Sequence, residues 1–189
     1  MNIIVRTAGG RVIARPDTTW VRKSEDFFPP DFVTALSFTP VLYARISKAG
    51  RCVGADFASR HFGETGFGLL LYPADLLTVG DSYGVAAASC MDRTSYLPDL
   101  RENCFETLDD FCIYKKEDVV FRSGKMEAER LMAEAVVETS RIMYLRRDDL
   151  LAVELAAPAP FWSRTEGNAE IKAAAGGNNP LLDFNIIVE

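Results

Sequence analysis

The sequence of 189 residues is 48% hydrophobic and 25% charged, so it can bury a core and does not have the composition of a disordered chain. Its formal net charge of −6 repels nucleic-acid backbones, and we do not expect nucleic acid as a partner. No apolar stretch approaches the roughly 18 residues of a membrane span, and the N-terminal residues lack the basic start and long apolar run of a signal peptide. We therefore expect a cytoplasmic protein without a membrane partner.

The sequence lacks the closely spaced motifs that would indicate a zinc site or a phosphate-binding loop. The four cysteines show no Cys-x-x-Cys spacing and the chain has one histidine, so a zinc site is not expected. Neither a Gly-x-x-x-x-Gly-Lys loop nor a His-Glu-x-x-His helix is present. The function must therefore be sought in the order of the elements.

In chain order, the patterns predict many short strands and two helices. Strands are expected at residues 1–5, 18–22, 41–47, 67–72, 111–114, 118–121, 150–155, 169–173 and 182–188, and helices at 54–64 and 123–145. Ser123 is expected to cap the long helix, and Trp162 to anchor a loop over 156–167. Because the strands do not alternate regularly with helices, the sequence predicts a mixed, β-rich α/β fold of roll or barrel type.

Two strands carry details that bear on a site. In 41–47 the apolar residues Leu42, Ala44 and Ile46 alternate with the others, so this side of the strand is expected to face the core. In 150–155 the same alternation places Glu154 with Leu150, pointing either to a cavity or to an exposed face of the sheet. We favour the exposed face, because carboxylates are rarely buried without a partner.

Several short motifs follow one another in a recognisable order. FFPPDF leads into VLYARISKAGR, a short helix, GLLLYPADLL, CMD at 90–92, a long helix, RRDDLLAVEL and finally PLLDFNIIV. This succession resembles the fumarylacetoacetate hydrolase family, most clearly over residues 27–77 and 145–189. The resemblance implies a mixed β-sandwich roll with a few helices. It also implies one domain over 1–189, in which 1–26 form a short, reduced N-terminal segment and 27–189 form the core.

The resemblance also implies a chemistry and an assembly. Members of that family bind Mg²⁺, Mn²⁺ or Ca²⁺ through a Glu-x-Glu pair and an Asp from a later strand. The metal polarises a keto-acid substrate, whose carbon–carbon bond is hydrolysed or decarboxylated. The family is usually dimeric, so we expect a homodimer or pairing with an active relative.

This chain departs from the family at the positions that carry the chemistry. Thr39 and Val41 stand at the Glu-x-Glu positions and Leu70 stands at the Asp. Ser89 replaces a substrate-contacting lysine, whereas Asp92 is kept. A general-base segment that the family carries near its N-terminus has no counterpart here. The family resemblance combined with these losses predicts that no metal cofactor binds.

Three functional interpretations remain open. We prefer a protein without metal-dependent activity that serves as a scaffold, a subunit or a small-molecule binder. The alternative is an active hydrolase or isomerase on a keto acid or related small molecule, with a rebuilt site. The candidate residues for such a site lie in the vestigial pocket and are Ser89, Cys90, Asp92, Arg93 and Glu154. Cys90 would need a lowered pKa to act as a nucleophile, and Arg93 is the nearby cation that would provide it. The third interpretation is an ordinary metal-dependent member whose ligands lie at other positions.

Overall fold

The computed structural model describes residues 1–77, 82–102, 111–124, 126–176 and 179–188. Within these ranges the chain forms two sheets. The first has the order β2-β1-β10-β4-β5-β6-β3, with β11 also paired to β4 and β7 to β5, and the second has the order β13-β12-β8-β9. The strands are β1 (Ile3–Arg6), β2 (Val12–Arg15), β3 (Trp20–Val21), β4 (Ala35–Ile46), β5 (Phe62–Pro73), β6 (Ser95–Tyr96), β7 (Arg101–Glu102), β8 (Cys112–Lys115), β9 (Asp118–Arg122), β10 (Leu150–Glu154), β11 (Ala159–Ser163), β12 (Ala169–Ala175) and β13 (Asn179–Ile186). This sheet-rich α/β architecture confirms the predicted fold class.

The helices differ from the prediction in three places. The long helix α2 (Ala128–Ile142) begins later than expected, because the hydroxyl of Ser123 accepts a hydrogen bond from the backbone N–H of Phe111 instead of capping a helix. A second α-helix, α1 (Ser82–Ser89), was not predicted, since its run of small residues has no helical periodicity. The helix expected at 54–64 is a 3₁₀ helix over Ala55–His61, and β5 begins directly after it at Phe62. Two further short 3₁₀ helices are formed by Asp17–Thr19 and Arg164–Glu166. None of the helices in the described ranges is both long and apolar enough to cross a membrane.

The main core lies between the two sheets and α2. It is built from large apolar side chains of all three layers, including Leu42, Phe67, Leu69 and Leu71 of the first sheet, Ile113, Ile171 and Phe184 of the second, and Met132 and Val136 of α2. Phe67 and Phe111 stack across this layer with ring centroids 4.5 Å apart. The layer holds the two sheets face to face and leaves the opposite face of the first sheet to a separate cluster.

A second core covers that opposite face, so the first sheet is buried on both sides. We call the following residues the second core: Ile3, Val5, Val41, Tyr43, Leu70, Tyr72, Ala88, Leu97, Leu150 and Ala152. The expectation that only the face with Leu42, Ala44 and Ile46 points inward is therefore incomplete, because Val41 and Tyr43 on the other side of β4 are also fully buried. A strand buried on both faces must carry apolar or fully partnered side chains throughout.

The N-terminal segment is an integral part of the first sheet. Strand β1 lies between β2 and β10 and pairs with β10 in parallel register. The buried carboxylate of Asp149 fixes this junction, since its oxygens accept hydrogen bonds from the backbone N–H groups of Asn2 and Arg146. Residues 1–26 thus contribute three strands, and β2 forms an edge of the sheet.

The region 156–167 is only partly a loop. Strand β11 lies within it and pairs with β4, with a register shift between Pro160 and Trp162. Trp162 is nearly fully buried and donates its indole N–H to the carbonyl of Gly167 at 2.8 Å, as expected of an anchor.

Close packing at one glycine of β5 provides a test of this arrangement. A side-chain carbon added at Gly68, which lies opposite Val41, would overlap the backbone carbonyl oxygen of Tyr96. We expect Gly68→Ala to lower the free energy of unfolding by about 1–3 kcal/mol, because backbone cannot move aside as a side chain can. Gly63→Ala in the same strand is the matched control, since an added carbon there meets open space. Equal losses for the two variants in urea unfolding would contradict the packing described.

Candidate functional site

The three positions at which the family resemblance places metal ligands lie together on one face of the first sheet. Thr39 of β4 and Leu70 of β5 are direct cross-strand neighbours in the antiparallel ladder, and Val41 follows on the same side of β4. All three side chains are fully buried. The fold therefore brings together positions that are up to 31 residues apart in the chain.

The side chains at these positions do not form a cation site. Val41 and Leu70 belong to the second core and have no oxygen to offer. The hydroxyl of Thr39 donates a hydrogen bond to the carbonyl oxygen of Ala156 at 2.6 Å. In the described ranges no group of three or more His, Cys, Asp and Glu side chains is placed to hold a metal ion. Because Mg²⁺, Mn²⁺ and Ca²⁺ need several charged oxygens, the residues present do not fit the metal that the resemblance implies.

Glu154 is buried, so the expectation that it occupies an exposed sheet face is wrong. It lies opposite Val41 in the β10–β4 ladder and only 6% of it is exposed. Its two oxygens accept hydrogen bonds from the hydroxyl of Tyr72 and from the backbone N–H of Ala8, both at 2.9 Å. Burial raises the pKa of Glu154, while these two hydrogen bonds and the charge of Arg15 act in the opposite direction.

Arg15 is a component of the site that the sequence did not reveal. It ends β2, is 1% exposed and places its guanidinium 4.7 Å from the ring centroid of Tyr72. Its Nη2 donates to the carbonyl of Leu71 at 3.0 Å and to the hydroxyl of Thr94. Burial lowers the pKa of Arg15, and its interactions with Tyr72 and Glu154 oppose that effect. Arg15, Tyr72 and Glu154 thus form one buried polar cluster beside the second core.

None of the remaining candidates is hydrogen-bonded to Glu154 in the part of the chain that the structure describes. Ser89 is buried, and its hydroxyl donates to the carbonyl of Val85 within α1. Cys90 and Asp92 are exposed. Arg93 has a left-handed backbone, with φ of 59°, and forms an ion pair with Glu25 at 2.8 Å. The partner that the structure shows for Arg93 is Glu25, and the expected pairing of Cys90 with Arg93 stays a prediction.

One serine pattern also lies near this region. Ser82 begins α1 within Gly-Asp-Ser-Tyr-Gly, which has the spacing of a Gly-x-Ser-x-Gly nucleophile motif. A serine nucleophile needs an adjacent base. The one histidine of the chain, His61, is buried and has its Nδ1 2.7 Å from the carbonyl of Lys48, so no Ser–His pair supports the motif.

The ionisation of Glu154 gives a test of its environment. Because burial raises the pKa of Glu154 above its value in the unfolded chain, folding takes up a proton between these two pKa values. The stability contributed by this residue therefore falls as the pH rises through that window. We expect Glu154→Gln, which cannot ionise, to gain stability relative to the parent protein as the pH rises from about 4.5 towards neutrality.

Glu166 is the matched control, because Lys115 lowers the pKa of its carboxylate. Glu166→Gln should lose stability relative to the parent protein as the pH rises through the window that ends near 4.5, and the difference should change little above that pH. Urea unfolding at a series of pH values measures both trends. A stability difference for Glu154→Gln that does not change with pH would show that this carboxylate is not perturbed by burial.

Comparisons with known proteins agree on the fold. No protein-family model matches the sequence, and no curated protein matches it. A protein from Yersinia pestis CO92 described as belonging to the fumarylacetoacetate hydrolase family aligns with a TM-score of 0.79 and 12% identity, over 100% of this chain and 92% of its own. Fumarylpyruvate hydrolase from Pseudomonas aeruginosa, crystallised with Mn²⁺ and pyruvate, aligns with a TM-score of 0.78 and 17% identity, over 95% of this chain and 79% of its own.

A third solved structure, 2-hydroxyhepta-2,4-diene-1,7-dioate isomerase from Mycobacterium marinum, aligns with a TM-score of 0.80 and 14% identity, over 100% of this chain and 75% of its own. At sequence identities this low, structural similarity shows that the fold is shared and does not show that the activity is shared. The resemblance read from the order of short motifs is thereby confirmed at the level of the fold. The chain has the fold of the fumarylacetoacetate hydrolase family.

Proposed function

We propose that this protein is a degenerate member of the fumarylacetoacetate hydrolase family that lacks metal-dependent cleavage of carbon–carbon bonds. It serves instead as a scaffold, a subunit or a binder of small molecules. The observation that carries the proposal is the burial of Thr39, Val41 and Leu70 side by side with no carboxylate among them. The shared fold supports the family assignment, and the side chains support the loss of the metal.

The energetic argument concerns the charge of the ion. A divalent cation that leaves water for a buried site must recover its hydration energy from anionic oxygens. Here the nearby carboxylate, that of Glu154, already accepts hydrogen bonds on both oxygens, and Arg15 adds a positive charge to the same neighbourhood. A divalent ion placed beside Leu70 would therefore meet apolar surface and a like charge.

A second candidate function is an enzyme with a rebuilt site. It is favoured by the buried cluster of Arg15, Tyr72 and Glu154, because burial raises the pKa of Tyr72 and of Glu154, and perturbed ionisable groups occur often at active sites. Cys90 is exposed and would supply the nucleophile in such a site. Its substrate class would be a keto acid or a related small molecule.

We also propose the setting in which either function operates. It is a cytoplasmic protein without nucleic-acid or membrane partners, and the negative net charge supports the lack of a nucleic-acid partner. The protein forms a homodimer or pairs with an active relative. The resemblance to a family that is usually dimeric is the ground for this proposal.

Metal titration tests the preferred function. We expect Mn²⁺ and Mg²⁺ to give no saturable heat with this protein at concentrations that load fumarylpyruvate hydrolase from Pseudomonas aeruginosa, whose crystals contain Mn²⁺. The physical reason is the missing charge at Thr39, Val41 and Leu70. Isothermal titration calorimetry after treatment with a chelator is the measurement. Micromolar binding of either ion would overturn the proposal and favour an ordinary metal-dependent member.

Substitution separates the preferred function from the rebuilt enzyme. Purified protein should show no turnover of keto acids such as fumarylpyruvate, measured by the loss of substrate absorbance. If turnover is found and persists in the metal-free protein, Cys90→Ala or Asp92→Ala should abolish it, with Cys52→Ala as the control at another exposed cysteine. Activity lost in the Cys90 or Asp92 variant and retained in the Cys52 variant would establish the second function in place of the first.

A further inference from the structure

Strand β2 is an edge of the first sheet, and part of its backbone faces outwards. In an antiparallel ladder, the residues that hydrogen-bond to the neighbouring strand alternate with residues that turn their N–H and C=O away from it. The N–H of Thr7 donates to the carbonyl of Arg11, which fixes the phase of this alternation between β1 and β2. Val12 and Ala14 therefore turn two N–H and two C=O groups away from β1, towards the edge.

The hydrogen bonds on the other side of β1 agree with this phase. The N–H of Leu150 donates to the carbonyl of Asn2, so the even-numbered residues of β1 hydrogen-bond to β10 and the odd-numbered ones to β2. The odd-numbered Val5 lies opposite Ile13. No hydrogen bond of the described residues reaches the outward groups of β2. An edge with unpaired donors and acceptors is a template for one more strand.

An open cavity lies beside this edge. It has a volume of about 400 Å³ and lies between β2 and helix α1. Ala14 of β2 and Ala86 of α1 line it and are exposed, so the cavity opens to solvent. Val85 adds an apolar side chain to the wall. Peptides that add a strand to a sheet edge place alternate side chains in such neighbouring pockets.

The two faces of an added strand would have different surroundings. Ile13 packs against the second core, to which Ala88 of α1 belongs, whereas Val12 packs against the main core. A residue opposite Ile13 would therefore direct its side chain towards α1. The residues on either side of it would lie opposite Val12 and Ala14 and exchange backbone hydrogen bonds with them. Side-chain recognition and backbone pairing thus fall on alternate residues of the partner.

Charge favours a different protein over a second copy of this chain as the occupant. Arg11 is exposed, is the charged residue among those that line the cavity, and has no ion-pair partner in the described part of the chain. If two β2 strands paired antiparallel with Val12 opposite Ala14, Arg11 of each copy would lie opposite Arg15 of the other. Like charges directly opposite are destabilising, whereas a carboxylate opposite Arg11 is complementary.

We propose that β2 and α1 form a docking site for an extended segment of another protein, with apolar side chains at alternate positions and a carboxylate near its C-terminal end. The segment adds to β2 as an antiparallel strand, which is the more stable pairing and brings that carboxylate next to Arg11. It exchanges hydrogen bonds with Val12 and Ala14, and its apolar side chains enter the cavity beside α1. The inference deepens the proposed scaffold function and rests on it, because it states which kind of partner the scaffold holds.

The experiment uses a synthetic peptide, Val-Thr-Val-Thr-Asp, with a fluorophore at its N-terminus and an amidated C-terminus. In the antiparallel register its Asp lies opposite Arg11, its central Val opposite Ile13, and its two Thr opposite Val12 and Ala14. Fluorescence anisotropy with the full chain should show saturable binding. The same peptide ending in Lys should bind about threefold more weakly or worse, because it replaces an exposed ion pair by like charges.

Two N-methylated peptides separate strand addition from simple occupation of the cavity. Methylation of both Thr nitrogens removes the N–H groups that face β2 and should weaken binding at least about tenfold. Methylation of the central Val nitrogen removes an N–H that faces away and should change the affinity little. Equal affinity of the two methylated peptides, or no saturable binding of the unmodified peptide, would overturn the proposal. These arms need only the parent protein.

Ala14→Pro tests the same contact from the side of the protein. It deletes an outward N–H that the ladder with β1 does not use, so the edge strand should tolerate it and lose affinity for the peptide at least about fivefold. Ala14→Ser keeps the N–H and is the matched control. Unchanged affinity in Ala14→Pro, verified as folded by urea unfolding, would overturn the proposal.

Sedimentation distinguishes the other occupant. A parent protein that is dimeric and becomes monomeric in Ala14→Pro would show that a second copy covers β2, which would also overturn the proposal. A failure of the proposed function is measured separately, in the titration with Mn²⁺ and Mg²⁺. A protein that binds neither metal nor peptide keeps the proposed loss of metal chemistry and loses only the docking site.

Discussion

Burial of the first sheet on both faces is the constraint on which the rest of this structure depends. With the second sheet and α2 on one side and the second core on the other, strands β4 and β5 have no solvent-exposed face over their central residues. A side chain there must be apolar or must find a hydrogen-bond partner. Val41 and Leu70 meet the first requirement, and Thr39 meets the second through the carbonyl of Ala156.

The cluster of Arg15, Tyr72 and Glu154 shows how polar side chains can be buried beside this sheet and why few of them are. A buried ion loses most of its hydration, and its hydrogen bonds only partly replace that loss. Glu154 is compensated by two donors from different parts of the chain, and Arg15 by Leu71, Thr94 and the ring of Tyr72. Removing one member would leave another ion buried with fewer partners, so the three residues are expected to be energetically coupled.

Much of the fold could be predicted from the sequence, because the positions of many strands and of the long helix are indicated by local residue patterns. The alternation in β10, the apolar run of β5, the hairpin of β8 and β9 and the amphipathic face of α2 are each visible within a short window, and their order indicated the family fold. Helix α1 could not be predicted this way, since Ala and Ser residues give no apolar stripe. Ser123 was misassigned because its partner, the N–H of Phe111, lies across a tertiary contact.

The site was harder to predict for the same physical reason. Whether Glu154 is buried depends on Tyr72, which is 82 residues away, and on Ala8 at the other end of the chain. Arg15 ends the short strand β2, which was not predicted from the sequence, and its neighbours Leu71 and Thr94 become visible only in three dimensions. The second core could be inferred only as a set of missing carboxylates, through the resemblance, and not as a packed cluster.

Retention of the fold without the chemistry has a simple energetic basis. A ring of carboxylates is stable in a buried place only while a cation compensates its charge, so it makes the fold depend on metal. Apolar side chains at the same positions need no compensation and add buried surface worth roughly 25 cal/mol per Å². Under the proposed function, Val41 and Leu70 therefore free this sheet from a cofactor. The polar groups that remain near that face, Arg15, Tyr72 and Glu154, interact with one another and with the backbone.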